Sequence, residues 1–371
     1  MNTPGKLSQA VLERLVLEPL RRLTSQPSCS DSARAVALGA AAGEDAAVVR
    51  VGATAPGADA LVVVAADPIT GAEDPRMAGA LAVYVNSNDV LVQGGVPSWM
   101  TLTLLIPVGT TEHQLSELIR GVCEAAAEIG VVVVGGHTEV TESVQKTVVC
   151  GTLFGPLHPG LEGRQVPTGG MRTGDRILLT KAAALEGTAI LLNDRGTEFC
   201  KRGIFSEEFL RLAISSHRLQ EVSVHVEMRA LLSSVAKHVS AMHDPTEGGI
   251  ANALHEMCTA AGPRIGVRIK RDTIPVRQDT SQICDHFGVD PLSLISSGCV
   301  LATVDPQHAD VAIRAVQAEG VACTDIGSVV ALQDSSDEAL TAVFKVCYED
   351  GAEIRQPDND SLWYILSQAM L

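Results

Sequence analysis

Two adjacent carboxylates, Glu44 and Asp45, stand in the stretch GEDAAVV, between a glycine and a run of small and apolar residues that predicts a buried strand. An acidic pair at such a place fits either a solvated turn or a cation site. Three further stretches share this pattern of a core element followed by acids, amides or glycines. They contain Asp67, the group Asn86, Asn88 and Asp89, and the run Gly135-Gly136-His137-Thr138-Glu139. Asp89 interrupts an otherwise apolar helical pattern, where a carboxylate is costly to bury without a cation or hydrogen-bond partners. A fifth stretch, HDPTEGG, sets Asp244 before a proline with Glu247 three residues on, which predicts Asp244 as a helix N-cap. Gly248 and Gly249 follow inside the expected first turns, where each glycine costs about 1 kcal/mol relative to alanine. They predict the close approach of another backbone or of a phosphate. His255 and Glu256 lie further along the same expected helix.

The elements that must position these groups alternate along the chain. An amphipathic N-terminal helix precedes strands at 45–51 and 61–66. A mostly buried helix over 75–93 leads to a strand at 98–107. The capped helix from Thr111 leads into VVVVGGHTEVT, read as an apolar strand stopped by Gly135 and Gly136. A Gly/Pro-rich junction at 155–170 predicts a domain boundary. The second half shows a strand at 176–181, a helical region near 206–238, a strand near 299–304, a helix near 306–319 and a hairpin around Asp350-Gly351.

The 371 residues exceed what one hydrophobic core ordinarily serves, about 250 to 300 residues. They divide into 1–155, 168–335 and a hairpin and tail over 336–371. Aromatic residues make up 3% of the chain, so aliphatic residues must pack layered α/β structure. The formal charge is -16 and no Lys/Arg block occurs, which argues against nucleic acid. An acidic protein can still hold a polyanion such as ATP where divalent cations lie between carboxylates and phosphates. Nine scattered cysteines without C-x-x-C read as buried thiols of a reducing compartment, and no stretch reaches the ~18 apolar residues of a membrane span. A cytoplasmic location is expected. Neither a P-loop nor a strand-linked G-x-G-x-x-G is present.

Taken in order, GKLSQAVLERLV, GEDAAVV, AADP, VNSNDVLVQGGVP, VVGGHTEVT, HDPTEGGIANALHEM, DPLSLISSGCVLA and DNDSLWYIL resemble the aminoimidazole-ribonucleotide synthase (PurM-like) superfamily, on its hydrogenase-maturation HypE and AIR synthase-related branch. The resemblance implies an α/β (α+β) two-domain fold whose N-terminal domains pair in a homodimer through a shared β-barrel, with a C-terminal α/β domain. It implies ATP bound with Mg²⁺, the cations held by Asp45, Asp67 and Asp89. Lys6 would approach the phosphates, with Asn88 and Gly135, Gly136 and Thr138 supporting the cleft; Gly248 and Gly249, by their cost in a helix, join them as expected nucleotide contacts. Glu44 is expected to face water. His137, Asp244 and His255 are the catalytic candidates, His137 standing where some relatives carry an acid. Ser297 likewise replaces an acid before the glycine of ISSGC, and the closing LSQAML lacks the reactive cysteine of hydrogenase-maturation members.

The implied chemistry is ATP-dependent activation of an amide, thio-acid or similar oxygen on a small-molecule or protein-borne acceptor. A small-molecule kinase of the thiamine-phosphate kinase type and a non-catalytic maturation scaffold with a partner protein are the alternatives. No membrane or nucleic-acid partner is expected.

Overall fold

The computed structural model describes residues 9–24, 35–39, 41, 44–52, 60–70, 72–332 and 345–369. Lys6 and Cys29 lie outside them. The helical run α1 passes from Gln9–Leu12 through a π-helical turn at Glu13–Leu17 into Glu18–Thr24.

The first half builds one six-stranded sheet in the order β1-β2-β3-β6-β4-β5. Its strands are β1 (Val36–Leu38), β2 (Ala47–Val51), β3 (Ala60–Ile69), β4 (Trp99–Pro107), β5 (Val132–Thr141) and β6 (Val148–Pro156). All neighbours are antiparallel except β4 and β5. Among the described residues the sheet is open, with β1 and β5 as its edges, and neither sheet closes into a barrel. This corrects the β-barrel expectation: closure requires the first and last strands to pair, and here each has a single partner.

Helix α2 (Pro75–Val92) is N-capped by Asp74, whose side chain accepts from the Met77 amide, with proline at the first helical position. Every residue from Met77 to Val92 is buried, because α2 lies between the sheet and the second half of the chain. Helix α3 (Glu112–Ile129) shows the capping box expected from Thr111 and Gln114, and Gly130 in the left-handed region ends it.

The second sheet runs β12-β9-β11-β7-β10-β8. Its members are β7 (Arg176–Thr180), β8 (Val239–His243), β9 (Ile265–Ile269), β10 (Leu301–Val304), β11 (Cys323–Ala331) and β12 (Val346–Tyr348). Only β9 and β12 are parallel, so the β-α-β rhythm read from the sequence yields two mainly antiparallel layers. Helices α4 (Leu185–Lys201), α5 (Glu207–Ser216), α6 (His225–Val235), α7 (Gly249–Ala261), α8 (Gln278–Phe287), α9 (Ala309–Ala318) and α10 (Ser361–Ala369) complete the half. The helical region near 206–238 is thus broken into α5, α6 and short 3-10 turns. Of the thiols expected to be buried, Cys123 is exposed.

The halves share a core. One apolar cluster passes from Val63, Leu81 and Val83 to Leu191, Phe199 and Ile365. Asn88, fully buried on α2, adds a polar clamp: its Nδ2 donates to the Val222 carbonyl at 2.8 Å and its Oδ1 accepts from the Val224 amide at 3.0 Å. Removing this amide strands one buried acceptor and one buried donor. Asn88→Ala is expected to lower stability by on the order of 2 to 4 kcal/mol in urea denaturation.

Candidate functional site

The two halves meet where β2 begins and β8 ends. Asp45 stands in the turn before β2, and its Oδ2 lies 2.6 Å from Nδ1 of His243, the last residue of β8. Nε2 of the same ring lies 2.9 Å from Oε2 of Glu256 on α7. The His243 side chain is 2% exposed. Burial works against its charge, yet Asp45 and then Glu256 outweigh it and hold its pKa well above the ordinary histidine value. An imidazolium between two carboxylates therefore bridges the halves.

Asp244 follows directly and is fully buried. It is not the N-cap expected from the sequence: α7 begins at Gly249 and its N-cap is Gly248, which has no side chain to cap with. Both carboxylate oxygens of Asp244 lack a hydrogen-bond partner. Burial, then the charges of Asp45 and Asp67, raise its pKa well above the carboxylate range despite the opposing charge of His243. Ligand atoms of Asp45, His243 and Asp244 lie within 4.8 Å of one another. The arrangement suits a hard divalent cation, because it offers carboxylate oxygens, two of them buried with nothing else to bind. Both His243 nitrogens already face carboxylates, so that ring supports Asp45 and offers an ion no free nitrogen.

Asp67 lies within β3, paired with Gly151 of β6, where the sequence suggested a strand end. Strand β2 reaches along β3 only to Val64. Beyond it the Asn86 side chain takes the missing strand's place: its Oδ1 accepts from the Asp67 amide at 2.8 Å and its Nδ2 donates to the Asp67 carbonyl at 3.2 Å. A Cβ at Gly151 would meet Asn86 Nδ2 at 2.5 Å, so this position needs glycine for space. Asp89, one turn after Asn86 on α2, is 5% exposed. Asp45 thus stands beside Asp244, Asp67 is near enough to raise the Asp244 pKa, and Asp89 sits on the helix that fixes Asp67.

Other expected residues are placed differently. Glu44 does not face water: its Oε2 accepts from Gln93 Nε2 at 3.0 Å and from the Thr168 amide at 3.2 Å, tying the first half to the interdomain segment. Asn88 spends both amide atoms on the clamp described above. Gly135, Gly136, His137 and Thr138 lie inside β5, which continues to Thr141, with residues 132–140 exposed. In the sheet order, β3, β6 and β4 separate β5 from β2. Four strand spacings of about 4.8 Å put His137 roughly 19 Å from the turn of Asp45. Within one chain these residues do not join the acidic cluster. Gly136 is explained by β4, since a Cβ there would strike the Leu102 carbonyl oxygen at 1.9 Å. His255 bonds through Nε2 to the Ile354 carbonyl at 2.7 Å, pinning the terminal hairpin to α7. Gly248 and Gly249 have φ of 79° and 62°. What approaches Gly249 is backbone, the carbonyls of Leu292 and Leu294. The Gly248 amide donates to Asp360.

Sequence reasoning missed His243, Asn86 as a positioning residue, and Glu186. The last lies in the first turn of α4, is 6% exposed, and has an Oε2 without a partner. Burial raises its pKa to about 7, with Asp360 and Glu247 adding to the rise and the Ser297 hydroxyl and amide opposing it. Burial likewise lifts Asp360 to about 6 against three backbone donors. The only signal for His243 was its position beside Asp244 at a strand end. Glu186 stood in an apolar helical start, ALEGTAILL, where one acid draws no notice.

Two mainly antiparallel layers with an acidic cluster at their junction define the class of two-domain AIR synthase-like proteins. A family model described as AIR synthase related protein, N-terminal domain, matches residues 43–157, and one described as its C-terminal domain matches residues 172–338. The chain belongs to the AIR synthase-related family, within the PurM-like superfamily. It is 30% identical over 232 residues to a putative hydrogenase expression/formation protein of Methanocaldococcus jannaschii, an alignment covering 62% of this chain and 63% of that relative. It is 30% identical over 259 residues to carbamoyl dehydratase HypE of Azotobacter vinelandii, covering 68% and 70%. A solved hydrogenase maturation protein HypE in complex with ATP superposes with a TM-score of 0.62 at 19% identity, covering 97% of each chain.

Glu186 sets a pH dependence. Its folded pKa lies above the free value of 4.5, so the folded chain retains a proton that the unfolded chain releases. Stability is therefore lost as pH rises from about 4.5 through about 7. Glu186→Gln is expected to match the parent near pH 4.5 and to exceed it by on the order of 3 kcal/mol at pH 8, measured by denaturant titration at the two pH values.

Proposed function

We propose that this protein is a Mg²⁺-dependent, ATP-binding enzyme that activates an amide, thio-acid or similar oxygen of an acceptor by phosphoryl transfer. The observation that carries the reading is Asp244, whose two buried oxygens have no partner and which faces Asp45 and Asp67. A buried carboxylic acid of this kind is held neutral unless a cation joins it. The cation would be held by Asp45, Asp67 and Asp244, with Asp89 in support from α2, and would neutralise phosphate charge in an otherwise acidic molecule. Asn86 and His243 orient two of these acids, and burial of the junction keeps bulk water from competing. Lys6 serves the phosphates. The relative solved with ATP and the carbamoyl dehydratase relatives support the nucleotide and the reaction class.

The two sheets act as units divided at 155–168, and the described part of the hairpin and tail, 345–369, belongs with the second through β12 and α10. The partner set is a second copy of the chain, an acceptor and a maturation protein. The exposed edge β5, which carries Val132, Val133, Val134 and Val140 uncovered, supports self-association. No described helix is long and apolar enough to cross a membrane. A cytoplasmic site of action fits the cysteine usage.

A plain small-molecule kinase would use the same acids and differ in leaving a stable phosphorylated acceptor. Product analysis separates the two. In calorimetry, Mg²⁺ with ATP should bind the parent chain, and Asp244→Asn and Asp45→Ala should each weaken that binding at least tenfold. Without Mg²⁺, Asp244→Asn should be no less stable than the parent, since it removes an unpartnered buried acid. Parent-like binding by Asp244→Asn would refute the assignment.

A further inference from the structure

Beside the acidic cluster a cavity of about 430 Å³ opens between β3 and α2 on one side and α4, α10 and the loop after β8 on the other. Its wall is apolar at Leu81, Val85, Ile190, Ile295 and Leu362. Its charged groups are Asp67, Glu186 and Glu247, and no described lysine, arginine or histidine lines it. Glu186 is the one of these acids that is nearly inaccessible and has an oxygen without a partner, at the point where Ser297 also reaches the cavity. Its helix is fixed there: the Ala184 amide that precedes α4 donates to Ser296 Oγ at 2.8 Å, and a Cβ at Gly187 would strike Leu294.

We propose that this cavity receives the acceptor, that the acceptor is an uncharged or cationic molecule and not a phosphorylated one, and that Glu186 takes the proton the acceptor loses. The proposal rests on the reading of the Asp244 cluster as a nucleotide site. A phosphorylated acceptor would set about two negative charges against Glu186 and Glu247, the wall acids outside the proposed cation site, with no described lysine, arginine or histidine on the wall to offset them. An amide, an alcohol or an ammonium group meets hydrogen-bond acceptors and an apolar surface. In the step, the acceptor's oxygen forms a bond to the γ phosphorus of a nucleoside triphosphate. The bond from that phosphorus to the β–γ bridging oxygen breaks, and the nucleoside diphosphate leaves with its electron pair. The acceptor's proton passes to the ionised carboxylate of Glu186. The group can do this near neutral pH because burial, Asp360 and Glu247 raise its affinity for a proton while the Ser297 hydroxyl and amide retain enough of the anion.

The test uses the full chain and an apolar carbodiimide, which reacts with protonated buried carboxyls. At pH 6 the probe should label Glu186, read by peptide mass spectrometry, and at pH 9 labelling should fall at least tenfold. Propionamide and propylammonium should slow the labelling, and propyl phosphate should not. Absence of labelling at pH 6, or equal protection by propyl phosphate, overturns the pocket and its charge preference. Glu186→Gln should lower basal turnover of ATP with Mg²⁺ at least tenfold, remove its rise with pH near 7, and leave the calorimetric affinity for the nucleotide unchanged. Unaltered turnover in that variant overturns the proton-accepting role. A parent chain that binds no nucleotide overturns the nucleotide reading and the proton transfer with it, while the labelling still decides what the cavity accepts.

Discussion

The junction of the two halves depends on one buried imidazole. His243 stands between Asp45 and Glu256, and each carboxylate would be expensive at that depth without the charge on the ring. Removing the ring would leave two like charges facing each other across a vacated space. The bridge is the reason an acid from the first sheet can sit beside Asp244 of the second. Everything proposed for the site follows from that adjacency: two further acids, Asp45 and Asp67, act on Asp244 and leave its own oxygens free for an ion.

Much of the architecture was readable from local pattern. The Thr111 capping box, the buried helix that begins at Pro75, the strands near 98–107 and 299–304 and the turn at Asp350-Gly351 all follow from short-range chemistry, and all are present. What was not readable depends on what lies across a strand or helix. The valines of β5 look like a core strand, yet they form an edge, since periodicity reports apolar residues and not which neighbour covers them. The Asp244 proline signal predicts a cap, but two glycines with positive φ delay the helix to Gly249 and leave the acid below it.

The site shows the same division. Asp45, Asp67 and Asp89 could be singled out as acids at core elements, and the structure sets two of them against Asp244. His137 and His255 could be singled out as well, and the fold gives one to an edge strand and the other to a hairpin carbonyl. Histidine identity carries no information about its partner. Glu186 shows the reverse error, since nothing around it in the chain hints that Ser297, more than a hundred positions away, would meet it. Its unusual proton affinity is a property of tertiary burial, which no window of sequence contains.

The paired acids before β2 have a mechanical consequence. Glu44 grips Gln93 and Thr168 while Asp45 grips His243, so neighbouring residues on one short turn hold both the linker segment and the opposite layer. With Asn88 clamped to Val222 and Val224, the seam is riveted at separate points along its length. A clamshell motion would have to shear all of these rivets together. The seam therefore works as a fixed anvil between the two layers.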